Sequence, residues 1–406
     1  MSDSGTTTIT SLRSVTPTIF VPAILFGIGQ GAIAPIVALS ALDMGASIGV
    51  ASLVVALVGI GQLIGDLPAG ALANRFGERP AMIASGILMC VALLVCVLAE
   101  TVWVLGIAIF VTGLAGAVWG IARHTYLTEV VPYHLRARAM STLGGTHRIG
   151  MFIGPFVGAA AMRLWDTDGA YWVHIVSALA ASALVAFLKD PASINPTSPA
   201  GGGNAESTWT VLRRHVPTFR TLGLGVLAVG AVRASRQVVI PLWAAHIGLD
   251  ATTTAIVFGL SGAVDMLLFY PAGKAMDRFG RAFVAVPCMT VMAIALVLLP
   301  FTTGLWSLLA VALLLGLGNG MGSGIVMTLG SDASPPVGRS QFLGGWRLCA
   351  DLGNAGGPLL ISGIATMFAL APAVFATAAV GAAGAVMLGK WIPRRSASPR
   401  LKSRTG

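Results

Sequence analysis

Long apolar runs alternate with short polar connections along almost the whole chain. Each run is close to the ~20 apolar residues that a helix needs to cross a bilayer. The runs, numbered 1 to 12 in chain order, span residues 17–40, 49–73, 80–98, 103–126, 139–163, 171–188, 219–245, 252–276, 281–300, 304–328, 340–364 and 371–391. This pattern predicts an all-α membrane protein with twelve transmembrane helices.

One longer polar stretch interrupts the pattern between runs 6 and 7. Residues 189–216 are rich in Pro, Ser, Gly and Arg, as linkers commonly are. We therefore predict two six-helix bundles, at 17–188 and 217–391, joined by a linker at 189–216. A polar N-terminal tail at 1–16 and a basic tail at 392–406 complete the predicted organisation.

A ten-residue stretch at the end of run 2 returns at the end of run 8. Pro68–Gly77 and Pro271–Gly280 lie 203 residues apart and share Pro, Ala, Gly, Arg, Phe and Gly at matching positions. The same spacing relates Gly154-Pro155 to Gly357-Pro358. The repeat predicts two bundles with parallel, pseudo-symmetric topology.

The composition agrees with a lipid environment. Hydrophobic residues make up 56% of the chain, charged residues 10%, and the mean hydropathy is +0.86, whereas soluble domains carry about 25% charged residues. The four cysteines lie within apolar runs, so we expect neither disulfides nor a metal site. The net charge of +10 is spread over short connections and the tail, so we expect no nucleic-acid partner. Its distribution predicts that both termini and the linker are cytoplasmic, in a multi-pass protein of the plasma (cytoplasmic) membrane.

Seven charged side chains lie far from the ends of the predicted helices. They are Asp66, Arg148, Arg233, Arg236, Asp265, Arg347 and Asp351. Each costs ~2.5–3.5 kcal/mol at the centre of a bilayer, so these side chains should face a wet cavity or one another. We predict an ion pair between Arg347 and Asp351, one helical turn apart. Asp265 is expected to pair with Arg233 or Arg236.

The three acids are the candidates for proton coupling, which needs a carboxylate that can bind and release a proton. Asp66 is the first of them because the sequence offers it no obvious partner. The alternative is that Asp66 forms a structural pair with Arg75 or Arg123.

The arginines suggest a substrate cavity. Its predicted lining is Gln30, Trp119, Arg148, Arg233, Arg236, Trp346 and Arg347. Gln30 lies 203 residues before Arg233, so the two should face each other at matched depth. The excess of arginine suits carboxylates, phosphates or a lipid headgroup, which accept paired hydrogen bonds from guanidinium. Trp119 and Trp346 could equally serve packing alone.

The segment Gly70-x-Leu72-Ala73-Asn74-Arg75-x-Gly77-x-Arg79 resembles the loop 2–3 signature of the major facilitator superfamily. In run 5, Gly150, Gly154, Pro155 and Gly158 resemble the antiporter motif of its drug/proton antiporter branch. Two departures stand out: Asn74 replaces the acid of the signature, and no arginine lies near Ile109 in run 4. The glycines of run 5 also fit close helix packing alone.

The resemblance implies a secondary transporter that works by alternating access, with the proton gradient as its energy source and no bound cofactor. It also implies a cytoplasmic gate. The residues that match the gate are Gly70, Asn74, Arg75, Gly77, Gly273, Asp277, Arg278 and Gly280.

The leading hypothesis is therefore proton-coupled efflux of a small organic or amphipathic molecule by a monomer in the lipid bilayer. One alternative is transport of an organic anion or a lipid-linked substrate, based on the arginine excess. Another is a membrane sensor that does not transport. No phosphate-binding glycine loop or nucleophilic triad is evident, so we expect no enzymatic activity.

Overall fold

A computed structural model describes residues 16–131, 133–187, 208–335 and 337–393, and this part of the chain contains helices but no strand. Ten segments within it are long and apolar enough to cross a membrane. The predicted tails at 1–16 and 392–406 lie almost entirely outside the described residues, as does most of the predicted linker. The division of the chain into the predicted domains stays a prediction.

The helices before the linker form the N-terminal group. A π-helical turn, Thr16–Phe20, precedes α1 (Val21–Ile33). The other helices are α2 (Val37–Asp43), α3 (Ile48–Phe76), α4 (Glu78–Val97), α5 (Val102–Val130), α6 (Tyr133–Trp165) and α7 (Asp168–Phe187). Among them, α3 packs on α5, α1 packs on α6 and α7, and α4 packs on α5 and α7.

Two short helices, α8 (Thr208–Arg214) and α9 (Val216–Thr218), and a π-helical turn, Phe219–Gly223, lead into the C-terminal group. Its helices are α10 (Leu224–His246), α11 (Ala251–Phe279), α12 (Arg281–Leu298), α13 (Leu305–Met321), α14 (Ile325–Ala333), α15 (Arg339–Met367) and α16 (Leu370–Trp391), with a 3-10 turn at Leu299–Phe301. Here α10 packs on α15, α11 on α13, and α12 on α16.

Apart from helix ends that shift by up to six residues, three features differ from the predicted runs. Run 1 is broken between α1 and α2, at a segment that contains Pro35, which has no N–H to donate. Run 10 is broken between α13 and α14 at Gly322-Ser323-Gly324, where Gly324 has φ of 80°. The end of the predicted linker is helical: α8 packs against α15, and its Val211 is fully buried.

Glycines allow equivalent helix pairs to approach closely in the two groups. A Cβ at Gly150 on α6 would meet the backbone of α1, and Gly27 on α1 in turn faces Gly150. The positions 203 residues later repeat this contact, because Gly353 on α15 meets the backbone of α10 and Gly230 on α10 meets that of α15. Gly154 and Gly158 continue the contact along α6. The glycine motif of run 5, which lies on α6, therefore forms a packing face against α1.

The two groups meet along α3 with α15 and along α6 with α11. Where α3 begins, the groups are in contact: the Ser362 hydroxyl on α15 donates to the Gly49 carbonyl at 2.7 Å. Further close approaches between the groups lie in the same half, where Gly59 on α3 meets Ala355 on α15 and Gly259 on α11 meets the Phe156 ring on α6. In the other half of these helices, Gly70, Gly144, Gly273 and Gly344 have open space around them. The structure is therefore open at the end that carries Gly77 and Gly280.

Candidate functional site

A cavity of about 380 Å³ lies between the two groups. Helices α3 and α6 form its N-terminal side, and α10, α11, α13 and α15 form its C-terminal side. Its polar lining consists of Gln62, Arg148, Arg233, Arg236, Gln237, Asp265, Asn319, Ser323 and Asn354. Three of the predicted arginines and one of the predicted acids are therefore brought together here.

Asp265, in the middle of α11, is the centre of the charged cluster. Asn319 Nδ2 donates to its Oδ2 at 2.5 Å, and Arg236 Nη1 lies 3.5 Å from the same oxygen. Arg148 Nη1, from the N-terminal group, lies 3.9 Å from Asp265 Oδ1. The predicted pairing of Asp265 with Arg236 is present. Arg148 is an additional partner that the sequence did not indicate, because it lies on a distant helix of the other group.

The break between α13 and α14 supplies further partners for the arginines. Arg233 Nη2 donates to the carbonyl of Gly322 at 2.5 Å, and Arg148 Nη1 donates to the hydroxyl of Ser323 at 2.7 Å. The Gly322 carbonyl also accepts from the Ile325 N–H at 3.1 Å, so at the break it has one backbone donor and one arginine donor. The sequence prediction missed this site because the apolar run continues across the break.

The arginines keep donors that the protein does not use. Within the described part of the chain, the buried Nε atoms of Arg233 and Arg236 have no hydrogen-bond partner. The Arg148 guanidinium lies 4.7 Å from the centre of the Phe269 ring, and its side chain is 35% exposed. The two Nε atoms are enclosed by protein, whereas the partly exposed Arg148 guanidinium can reach a molecule in the cavity.

The charges lining the cavity do not cancel. Three arginines stand against Asp265 alone among the described lining residues, which leaves two positive charges in excess. Unbalanced charge at membrane depth is expensive, so the cavity favours an occupant that carries negative charge.

Four predicted lining residues lie elsewhere. Gln30 lines a smaller side pocket beside the cavity. Trp119 is 1% exposed and stacks on Phe26 at 4.8 Å between ring centres, so it is a core residue. Trp346 is 3% exposed, stacks on Phe342 and donates to the Val326 carbonyl at 2.8 Å. Both tryptophans therefore serve packing, the second of the two readings that the sequence left open.

Arg347, the last of the four predicted lining residues that lie elsewhere, bridges two acids at the open side of the cavity. Its Nη2 lies 3.4 Å from Asp66 Oδ1 on α3, and its Nε lies 3.5 Å from Asp351 Oδ2. The predicted pair with Asp351 is present. In the described residues Asp66 pairs with Arg347, and not with Arg75 or Arg123 as in the alternative reading. The sequence did not indicate this partner, because it lies on a distant helix.

The predicted gate residues do not reach the opposite group in this open conformation. Arg75 and Arg278 each lie over the adjacent phenylalanine ring, and Asp277 pairs with Arg281 at 3.5 Å within its own group. The side chain of Asn74 lies outside the described residues. Gly77 and Gly280 each form a one-residue connection between helices, with φ of 88° and 94°. The gating role of these residues stays a prediction.

Metal ligands are not grouped in the described chain: no set of three or more His, Cys, Asp or Glu residues could hold an ion. The cysteines are free thiols.

This fold, with a charged cavity between two groups of membrane-length helices, defines a multi-pass membrane transporter. The model of the Major Facilitator Superfamily matches residues 19–264 and 222–406, so the chain belongs to that family. Its members are transporters and not enzymes, and the chain is a multi-pass protein of the cytoplasmic membrane.

The chain resembles known transporters at low sequence identity. The class C tetracycline resistance protein of Escherichia coli is 25% identical over 362 residues, which cover 84% of this chain and 87% of that protein. The multidrug resistance protein MdtH of Klebsiella pneumoniae is 25% identical over 408 residues, 95% and 96% of the two chains. The crystal structure of a D-xylose–proton symporter superposes with a TM-score of 0.70 at 17% identity, over 94% of this chain and 98% of that one.

Proposed function

We propose that this transporter moves a small organic anion across the membrane by alternating access, coupled to protons. The observation that carries the proposal is the lining of the cavity, where three arginines face one aspartate. Guanidinium groups bind carboxylates and phosphates through paired, charge-assisted hydrogen bonds. An anion in the cavity would lie beside these three guanidinium groups and offset the excess positive charge.

Asp265 is the acid that we propose for proton coupling. The groups that face it are Arg148 from α6, Arg233 and Arg236 from α10, Asn319 from α13 and the Cys288 thiol from α12. A substrate anion that binds Arg148 and Arg236 takes these counterions from Asp265 and adds negative charge beside it. Protonation of Asp265 then becomes more favourable. By linkage, the proton and the anion bind together.

We further propose that α6 and α15 also cross the bilayer, which gives twelve transmembrane helices with both termini in the cytoplasm. They are 33 and 29 residues long and pack centrally between the groups. Their intramembrane charges line the cavity or pair across it. The open end, where α3 and α11 finish, would then face the cytoplasm. One chain forms the whole cavity, so the proposal needs no second copy, and no bound cofactor.

The second candidate is proton-driven export of an amphipathic molecule. It is favoured by the names of two relatives, a tetracycline resistance protein and a multidrug resistance protein. An exporter of this kind exchanges substrate for protons, so substrate binding would release a proton. The anion proposal predicts that substrate binding takes up a proton, so the direction of proton exchange on binding separates the two candidates. A membrane sensor, in contrast, would bind a ligand without moving it.

The anion proposal can be tested by binding to the purified full-length chain, with gluconate and hexanoate as anionic probes and hexylammonium as a cation matched in size to hexanoate. We expect the protein to bind an anion and not the cation. Arg233→Gln and Arg236→Gln should each weaken anion binding by about 10- to 100-fold, because each loses a charged hydrogen bond of ~1.5–3 kcal/mol.

Arg163→Gln is the matched control, since Arg163 is exposed near the far end of α6 and lines no cavity. It should leave anion affinity unchanged. Preferential binding of hexylammonium, or equal loss in all three variants, would reject an anion site at these arginines. Uptake of the bound anion into proteoliposomes would then separate a transporter from a sensor.

A further inference from the structure

A side pocket of about 120 Å³ lies beside the central cavity, within the N-terminal group. The two spaces are adjacent, because they share the lining residues Val55, Val58, Gln62, Met151 and Gln237. The far wall of the side pocket adds the polar residues Gln30, Thr112 and His174. None of the described residues that line it carries a formal charge at neutral pH when the imidazole is neutral.

The polar groups of this pocket lack partners within the described part of the protein. His174 is 1% exposed, lies edge-on to Phe26 and has no hydrogen bond at either ring nitrogen. The side-chain amides of Gln30 and Gln62 have none either. The Thr112 hydroxyl donates to Ile109 at 2.7 Å, which leaves its oxygen as an acceptor. Buried polar groups are normally satisfied, so the pocket is suited to a guest with both donors and acceptors.

The repeat shows that the two sides of the cavity have different chemistry. Gln30 corresponds to Arg233, 203 residues later, and Gln62 corresponds to Asp265 at the same spacing. The C-terminal group therefore has an arginine and an acid where the N-terminal group has two amides. At these two pairs of positions the charged side chains belong to the C-terminal group and the amides to the N-terminal group, although Arg148 of the N-terminal group also lines the cavity.

We propose that the side pocket binds an uncharged, hydrogen-bonding part of the transported molecule, while the arginines bind its anionic group. This inference rests on the proposed anion transport and specifies its substrate class: an organic anion with a hydroxyl- or amide-bearing body. An anion with an alkyl or aryl body would leave the amides and the imidazole unpaired, which carries a free-energy penalty.

Two carboxylates of equal chain length test the proposal. Gluconate carries a hydroxyl on every carbon beyond the carboxylate, and hexanoate carries none. We measure both affinities by calorimetry on the purified full-length protein. Wild-type protein should bind gluconate at least about tenfold more tightly than hexanoate, the effect of one or two net hydrogen bonds. Gln30→Leu and Gln62→Leu should each lose this preference while hexanoate affinity stays the same.

Unchanged hexanoate binding in these variants shows that they remain folded with the arginine site intact. Gln341→Leu is the control, because Gln341 lies on α15 and lines neither space, and it should keep the preference for gluconate. Equal wild-type affinities, or a preference that survives both substitutions, would show that the pocket holds only water, and would leave the anion proposal standing. Failure of wild-type protein to bind either anion would overturn both proposals.

Discussion

At the residue scale, the two copies of the repeated stretch show why particular positions are glycine. Gly280 ends α11 and begins α12 with φ of 94° and ψ of 167°, a region that is essentially restricted to glycine. Gly77 has the same conformation between α3 and α4. Gly273, seven residues earlier on α11, lies inside the helix with open space around it. The repeated glycines therefore have different physical roles within one motif.

This difference gives a matched pair of substitutions. Gly280→Ala should destabilise the protein by about 1–3 kcal/mol, because alanine is strained at this backbone conformation. Gly273→Ala should be neutral or stabilising by up to about 1 kcal/mol, because alanine favours the helix interior. The midpoint of thermal unfolding in detergent measures both. Equal midpoints for the two variants, or a higher midpoint for Gly280→Ala, would show that backbone strain does not explain the repeat.

Residue pairing could be predicted from the sequence only within a helix. The Arg347–Asp351 pair follows from a spacing of four residues on one helix. The contacts of Asp66 with Arg347 and of Arg148 with Asp265 join helices far apart in the chain. A helical period tells which face a residue occupies but not which helix lies opposite, so these contacts required the structure.

At the element scale, the apolar runs located the long helices to within a few residues. The exceptions are runs 1 and 10, each of which is interrupted in the structure. Hydropathy does not fall at these interruptions, so it could not predict them. Pro35 and the segment Gly322-Ser323-Gly324 break the backbone hydrogen bonding without adding charge. The second break supplies part of the candidate site through the Gly322 carbonyl, and composition alone gave no sign of it.

The proposal that α6 and α15 cross the bilayer can be tested by labelling introduced cysteines from each side of the membrane. With the native cysteines replaced, Ser141→Cys and Gly344→Cys should react with a membrane-impermeant maleimide only from the cytoplasmic side. Arg163→Cys and Phe368→Cys, at the opposite ends of the same helices, should react only from the outside. This result is expected because helices of 33 and 29 residues exceed the ~20 residues needed to cross the bilayer. Labelling of both ends of either helix from one side would show that it does not cross.

At the scale of the whole molecule, the groups are in contact where α3 begins and apart where it ends, which under the proposed function is one state of an alternating-access cycle. Arg148 is the side chain of the N-terminal group that reaches Asp265 of the C-terminal group. A substrate anion that binds Arg148 therefore acts on both groups at once. Under the proposed function, the same anion links protonation of Asp265 to the contact between the groups, as coupled transport requires.

The most direct test of this account is the number of protons exchanged when gluconate binds to the purified full-length protein, obtained from calorimetry in buffers of different ionisation enthalpy. We expect net uptake of up to about one proton per anion, because linkage makes each ligand favour the other. Asp265→Asn should abolish the uptake, and Asp66→Asn should retain it, since Asp66 does not line the cavity. Net proton release, or an uptake that survives Asp265→Asn, would contradict the account.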